Sequence, residues 1–382
     1  MLFIAREHLK PGMILARDIN LYSGDNFSTV LLKEDQILND LYINKIIYHD
    51  IPGAYIKSDA FNDLTIESSI NQKLEAKSLS EIKDVYHKFR NTMGKIDYST
   101  VKQISSVVDK LISEVLSKEV LSNNIIEFKS YDDYTYQHCL NVAVLSISTG
   151  ISLGLSEYEL HEIGMCGLLH DIGKMLIPLS IINKPGKLTE DEFAIMKTHP
   201  INSVNQLQYL VSTEILRGIE SHHEKIDGTG YPYGRKGNNI NKYGKILSVC
   251  DVYDALTSTR SYRKSCFPSE VIEYIMGCAD TQFDYDILNK FLKNIVAYPV
   301  GTFVKLSNEK IVVVVKNFSD NIMRPVVRII NDDSSIGKDI DLLNDPDYMN
   351  ITITGMGYEY GKIDYNSITK SNPNIKDGSN GK

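Results

Sequence analysis

The chain has 382 residues, 42% of them apolar and 24% charged, which supports two or three globular domains with at least one substantial core. A formal net charge of −8 argues against binding nucleic-acid polymers or anionic membranes through a basic face; a small anionic ligand held by bound cations stays open. Five scattered cysteines, Cys139, Cys166, Cys250, Cys266 and Cys278, form no CxxC pair and read as reduced thiols rather than a disulfide framework.

Arg6 and Glu7 interrupt the N-terminus too early for a signal peptide, and no apolar run is long enough to span a bilayer. A cytoplasmic protein is expected. Residues 1–60 predict a small α+β domain. Leu9-Lys10-Pro11-Gly12 is a turn leading into an apolar run, Thr29–Leu32 is a strand, Leu38–Ile47 is helical and Ala54-Tyr55-Ile56 closes with a strand. Residues 61–120 predict a polar linker followed, from Ser80 to Lys118, by amphipathic helices. Ile82, Val85, Tyr86 and Phe89, then Val101, Ile104, Val107, Val108 and Leu111, recur at helical spacing. Packing onto the next domain is the plain reading of these stripes; a homodimer through helices 80–118 is the other.

Residues 121–298 carry the chemistry. Asp132–Ser152 reads as one helix with His138 on an apolar face. Ser156 caps the next helix, which runs to His170-Asp171, with Gly173 placed to stop it and Lys174 following. His161 reads as exposed among acids. Thr189 and Glu192 form a capping box, and the helix it starts is expected to break at His199-Pro200. A helix from Thr213 leads to Ser221-His222-His223-Glu224, then a glycine-rich loop, Asp227-Gly228-Thr229-Gly230-Tyr231-Pro232. The apolar helix Ile246–Thr257 carries Asp251 and Asp254, either of which could pair with Arg260 or Arg263.

Six of the nine histidines fall between positions 138 and 223. Without His161, the candidates His138, His170, His199, His222 and His223 join Asp171 and Asp251 as nitrogen and oxygen donors. That is more than one tetrahedral zinc needs. It suits two metals sharing a bridging carboxylate, with iron or manganese first and zinc also compatible. Two such ions are a standard clamp for phosphodiester hydrolysis, and Lys174, Arg260 and Arg263 could neutralise phosphate charge.

These motifs, over roughly residues 125–295, resemble the HD-GYP family of the HD superfamily, the bacterial cyclic di-GMP phosphodiesterases. The literal Gly230-Tyr231-Pro232 is present. The resemblance implies a mainly α, all-helical metal-dependent phosphohydrolase domain with His170, Asp171 and Lys174 at its catalytic centre. It implies that His138, His170, Asp171 and Asp251 hold one metal and Asp171, His199, His222 and His223 the other. Lys174 would contact the phosphate or a metal-bridging water, Arg260 and Arg263 would bind the substrate's phosphates, and Gly230, Tyr231 and Pro232 would line its pocket. A bridging hydroxide would cut cyclic di-GMP to pGpG or on to GMP. Some members carry a third metal through a Glu where this chain has Tyr134, so two metals are expected. The alternatives are a catalytically slow cyclic di-GMP sensor and a hydrolase of another cyclic dinucleotide. Beyond the catalytic region, residues 299–365 read as a small β appendage, with strands at Val304–Leu306, Ile311–Val315 and Pro325–Ile330. Residues 366–382 read as a disordered polar tail.

Overall fold

A computed structural model describes the chain except for residues 24–25, 50, 65–69, 94, 118–133, 259–265, 332–334, 358–368 and 370–382. The described residues divide into two units.

The first unit takes residues 1–64 and 298–357. Its elements are β1 (Leu2–Ala5), β2 (Ile19–Ser23), β3 (Asn26–Leu32), α1 (Asp40–Tyr48), β4 (Gly53–Ile56), β5 (Phe303–Leu306), β6 (Ile311–Lys316), β7 (Val326–Ile330), β8 (Ile336–Asp341) and β9 (Ile353–Met356). β1 pairs antiparallel with β4, setting Phe3 opposite Tyr55, and β2 pairs with β3. The last five strands form an antiparallel sheet in the order β8-β7-β6-β5-β9. The two stretches, read from sequence as separate pieces, meet in one unit. Phe3 N donates to Gly301 O at 3.0 Å. Arg328 forks onto Asp63 at 2.7 and 3.0 Å and onto Asp339 at 2.6 Å. The sequence reading finds β5, β6 and β7 but not β8 or β9. These two are the sheet edges, half covered at most positions, so they carry polar residues and no apolar run.

The second unit takes residues 70–117 and 134–297 and is helical throughout its described residues. It comprises α2 (Gln72–Asn91), α3 (Tyr98–Leu116), α4 (Tyr134–Ser152), α5 (Glu157–Leu169), α6 (Leu179–Ile182), α7 (Glu190–Met196), α8 (His199–Leu207), α9 (Thr213–Ser221), α10 (Lys242–Thr257), α11 (Pro268–Gly277) and α12 (Tyr285–Leu292). The expected linker is shorter than read, because Asn71 caps α2 by accepting from Lys73 N. The stripes of α2 and α3 turn inward: α3 packs on α5, and α2 on α4.

Helices α5 and α10 are buried on nearly every side, as their all-round apolar composition requires. A Cβ on Gly167 would lie 2.5 Å from Ala143 Cα, so glycine sets the close approach of α5 to α4. The buried Glu162 is matched by three hydroxyls, of Tyr158, Ser212 and Tyr243, which ties α5 to the start of α9 and to α10. No helix among the described residues is long and apolar enough to cross a membrane.

Three local expectations are corrected. Pro200 does not break a helix; it sits in the first turn of α8, where its missing N–H costs nothing. His161 is not free in solvent; its ring faces α3, with Nε2 at 2.9 Å from Ser105 Oγ. Gly173 does not stop α5 through a left-handed turn. The helix ends at Leu169, and Gly173 lies in the 3-10 turn Ile172–Leu176 because a Cβ there would sit 2.2 Å from His199 O and 2.6 Å from Ser203 N.

Candidate metal centre

Helix ends leave carbonyls without intrahelical partners, and three histidines use them. His170 Nδ1 lies 2.8 Å from Gly167 O, His199 Nδ1 2.8 Å from Met196 O, and His222 Nδ1 2.6 Å from Ile219 O. A carbonyl only accepts, so each Nδ1 carries the proton and each Nε2 presents its lone pair inward. His138, on α4, is anchored by a side chain instead: its Nδ1 donates to Asp254 Oδ2 at 2.8 Å, and Asn141 Nδ2 holds Asp254 Oδ1 at 2.8 Å.

These side chains form two pockets. The donor atoms of His138, His170 and Asp171 lie within 4.8 Å of one another, as do those of His199, His222 and His223. Asp171 stands between them, with Oδ2 3.4 Å from His170 Nε2 and Oδ1 3.3 Å from His199 Nε2. Asp251 spans the pair from α10, with Oδ1 3.1 Å from His138 Nε2 and Oδ2 3.8 Å from His223 Nδ1. The sequence reading gave Asp251 to one pocket only; its carboxylate faces both. Lys174 Nζ lies 2.6 Å from Asp171 Oδ2.

The donor set fits divalent metals. The Nε2 atoms of His199 and His222 face each other at 3.3 Å, and both Nδ1 protons are already committed, so two lone pairs oppose one another in a buried site. A proton there would relieve this, but burial first, with nearby positive charge, holds His199 down to about 3 and His222 to about 4. A shared cation removes the conflict. His170 Nε2 and Asp171 Oδ1 are likewise buried without a hydrogen-bond partner among the described residues, a cost of roughly 1–3 kcal/mol each when left so. Burial would push Asp171 and Asp251 up. The His170 ring and the Lys174 ammonium beside Asp171, and the hydrogen bond of His138 to Asp251, outweigh it and hold both carboxylates well below the usual range.

A pH dependence follows for the metal-free protein. His199, His222 and His223 are lowered on folding, so between about 6.5, their unfolded value, and their folded values the unfolded chain binds more protons. Stability then falls as pH drops. His138 is raised and opposes this alone: burial pulls it down, but Asp251 and Asp254 outweigh burial. Thermal unfolding of the metal-free protein between pH 7 and pH 4 should show a falling midpoint; a flat or rising one would contradict the neutral imidazoles.

The loop after α9 is fixed by Glu224, a buried carboxylate that accepts from Tyr233 N at 2.9 Å and Arg235 N at 3.0 Å. Tyr231 N donates to His223 O at 3.1 Å, and the Tyr231 ring stacks on His223 with centroids 4.6 Å apart. Gly230 allows this, since a Cβ would lie 2.4 Å from Lys225 N and 2.5 Å from His223 O. Gly230, Tyr231 and Pro232 therefore follow directly on the second pocket. Arg260 and Arg263 lie outside the described residues, as does the side chain of Tyr134. Sequence reasoning missed Asp254, Asn141 and Glu224 as supports of the site. The spacing held a signal for the first two: Asp254 is three residues after Asp251, and Asn141 three after His138, each on the same helical face as its partner.

The Gly173 contact gives a direct test. In Gly173→Ala the new methyl meets backbone that cannot rotate away. A loss of about 1–3 kcal/mol on urea unfolding is expected, with weaker metal binding because His199 begins the displaced helix.

Residues 118–287 match the family model described as "HD domain". Over this stretch, a little under half of its length, the chain is similar to HD domains. Curated relatives match part of the chain. A "Cyclic di-GMP phosphodiesterase" from Pseudomonas aeruginosa is 37% identical over 227 residues, 59% of this chain and 55% of that protein. A "3'3'-cGAMP-specific phosphodiesterase 1" from Vibrio cholerae is 35% identical, over 47% of this chain and 42% of that one. A cyclic di-GMP phosphodiesterase from Borreliella burgdorferi is 31% identical, over 52% of each. The chain spans about half the length of these curated relatives.

Proposed function

We propose that the chain is a metal-dependent phosphodiesterase that opens a cyclic dinucleotide, with cyclic di-GMP as the leading substrate. The observation that carries this is Asp171 with one oxygen toward each histidine pocket. His138, His170, Asp171 and Asp251 would hold one divalent ion, and Asp171, His199, His222 and His223 the other, with iron or manganese ahead of zinc for this nitrogen and oxygen set. When bound, such a pair supplies an activated water and neutralises charge on the scissile phosphate. The protein's own groups do the rest. The carbonyls behind His170, His199 and His222 orient the rings. Lys174, partly exposed beside Asp171, places an ammonium where phosphate charge develops and can hold the proton that the leaving 3′ oxygen needs. The Tyr231 ring, fixed on His223, offers an apolar wall to the substrate. Arg260 and Arg263 are proposed for the phosphates.

A second substrate reading has a specific support: relatives of both named activities, on cyclic di-GMP and on 3'3'-cGAMP, match at similar identity. The sensor reading is disfavoured because no donor of the two-pocket set is missing. The test is chromatography of products after incubation with each cyclic dinucleotide and Mn²⁺ or Fe²⁺. Linear pGpG or GMP from cyclic di-GMP, absent in a His170→Ala/Asp171→Ala double variant, supports the leading reading. Faster loss of 3'3'-cGAMP selects the second. Binding without turnover under both metals selects the sensor.

A further inference from the structure

Helix α2 is joined to the metal pockets by a polar relay that the proposed chemistry does not use. Glu75 stands in the first turn of α2. Its Oε1 accepts from Gln137 Nε2 at 3.0 Å. The same amide nitrogen donates to Asn141 Oδ1 at 3.2 Å. Asn141 Nδ2 then donates to Asp254 Oδ1 at 2.8 Å, and Asp254 Oδ2 accepts from His138 Nδ1 at 2.8 Å. The chain of bonds has one consistent assignment of donors and acceptors. A carboxylate at each end only accepts, so reversing either amide would set oxygen against oxygen. Gln137, Asp254 and His138 are all buried, so water screens these bonds little. A shift of Glu75 is passed on to the imidazole that points its other nitrogen into the first pocket.

A second contact from the same helix holds backbone and no ligand side chain. Tyr86 Oη, fully buried, donates to Leu168 O at 2.8 Å, two residues before His170. α2 thus touches both helices that supply the first pocket. In sequence it is the first helix of its unit, directly after the N-terminal α+β segment.

We propose that Glu75 is a positioning residue for His138, acting through Gln137, Asn141 and Asp254. The placement of α2 thereby sets the metal affinity of the pocket made by His138, His170 and Asp171. This deepens the functional reading above and rests on its two metal pockets. It makes α2 a regulatory input that acts on one metal and spares the other, so activity can be graded without rebuilding the fold.

The experiment is a Mn²⁺ titration of the metal-free full chain, with free ion followed by electron paramagnetic resonance and unfolding measured in parallel. Glu75→Ala should weaken one of two sites by about 3- to 10-fold, less than the roughly 10- to 100-fold of removing a ligand's direct partner. Gln137→Met should do the same, and the double variant should add nothing, because both cut one relay. Glu75→Gln keeps an acceptor for Gln137 and should restore wild-type affinity. Tyr86→Phe is the contrast: it removes the other α2 bond and should lower the unfolding midpoint while leaving Mn²⁺ affinity unchanged. The proposal is overturned if Glu75→Ala binds Mn²⁺ like wild type, or if both sites weaken together in step with stability. Wild-type protein that binds no Mn²⁺ would overturn the metal reading itself, a result distinct from failure of the relay.

Discussion

Asp171→Ala is expected to weaken both metal pockets at once and to lower the proposed phosphodiesterase turnover by about 10³-fold or more, about 4 kcal/mol of barrier. The reason is position. Asp171 Oδ1 faces His199 and Oδ2 faces His170 and Lys174, so one truncation strips each site of a donor. It also leaves the Lys174 ammonium without its carboxylate and removes the negative charge that offsets bound cations. Three histidines in the second pocket remain, and three can still hold a single ion weakly. The measurement is metal content after dialysis, with product chromatography on the same samples. Retention of two ions per chain would mean that Asp171 does not bridge, and the clamp would have to be assigned to Asp251 alone. Circular dichroism before and after guards against simple unfolding.

Asp254→Ala should have the next largest effect, although Asp254 faces the pocket only through His138. Without it, His138 Nδ1 loses its acceptor and Asn141 Nδ2 loses its own. The ring is then free to turn or to carry its proton on Nε2, the nitrogen the metal needs. Removing such a support weakens metal binding by about 10- to 100-fold, and it should do so at one site, leaving that of His199, His222 and His223 near its wild-type affinity. Asp254→Asn is the informative companion. Its carbonyl oxygen can still accept from one of the two donors but not both, so an intermediate loss is expected. Equal weakening of both sites in a Mn²⁺ titration would argue that Asp254 supports the helix packing rather than the ring.

The seven candidate ligands could be read from sequence because histidines beside acids at helix ends are an unusual pattern with a chemical meaning. The fold brings all seven together. Their supports were less legible. Asp254 looked like a partner for the arginines that follow it, an ordinary pairing for a carboxylate; only the approach of α4 to α10 brings it to His138. Glu224 was only a neighbour of His222 and His223 in the sequence, yet its oxygens hold the backbone of the next loop. Gly173 and Pro200 carry strong local meanings as a helix stop and a helix breaker. Tertiary packing overrode both: Gly173 is needed for closeness to α8, and Pro200 is tolerated because it falls in a first turn. The edge strands β8 and β9 were invisible for a different reason, since a strand covered on one side needs no apolar run. The joining of residues 1–64 with residues 298–357 could not be read at all, because pairing between distant segments leaves no local periodicity.

That joining fixes an order of events during synthesis. The chain that forms the helical unit is complete when residue 297 has been made, whereas Phe3 and Asp63 must wait for Gly301 and Arg328. Contacts that span so much of the chain are slow to close, and domains released early fold first. Residues 1–64 are therefore among the last to settle, although they are made before the helical unit. During that interval β1 and β4 expose a small sheet whose final neighbours have not yet left the ribosome. An N-terminal strand pair held open for so long is a point at which a chaperone or a second nascent copy of the same chain can intervene before the native sheet does.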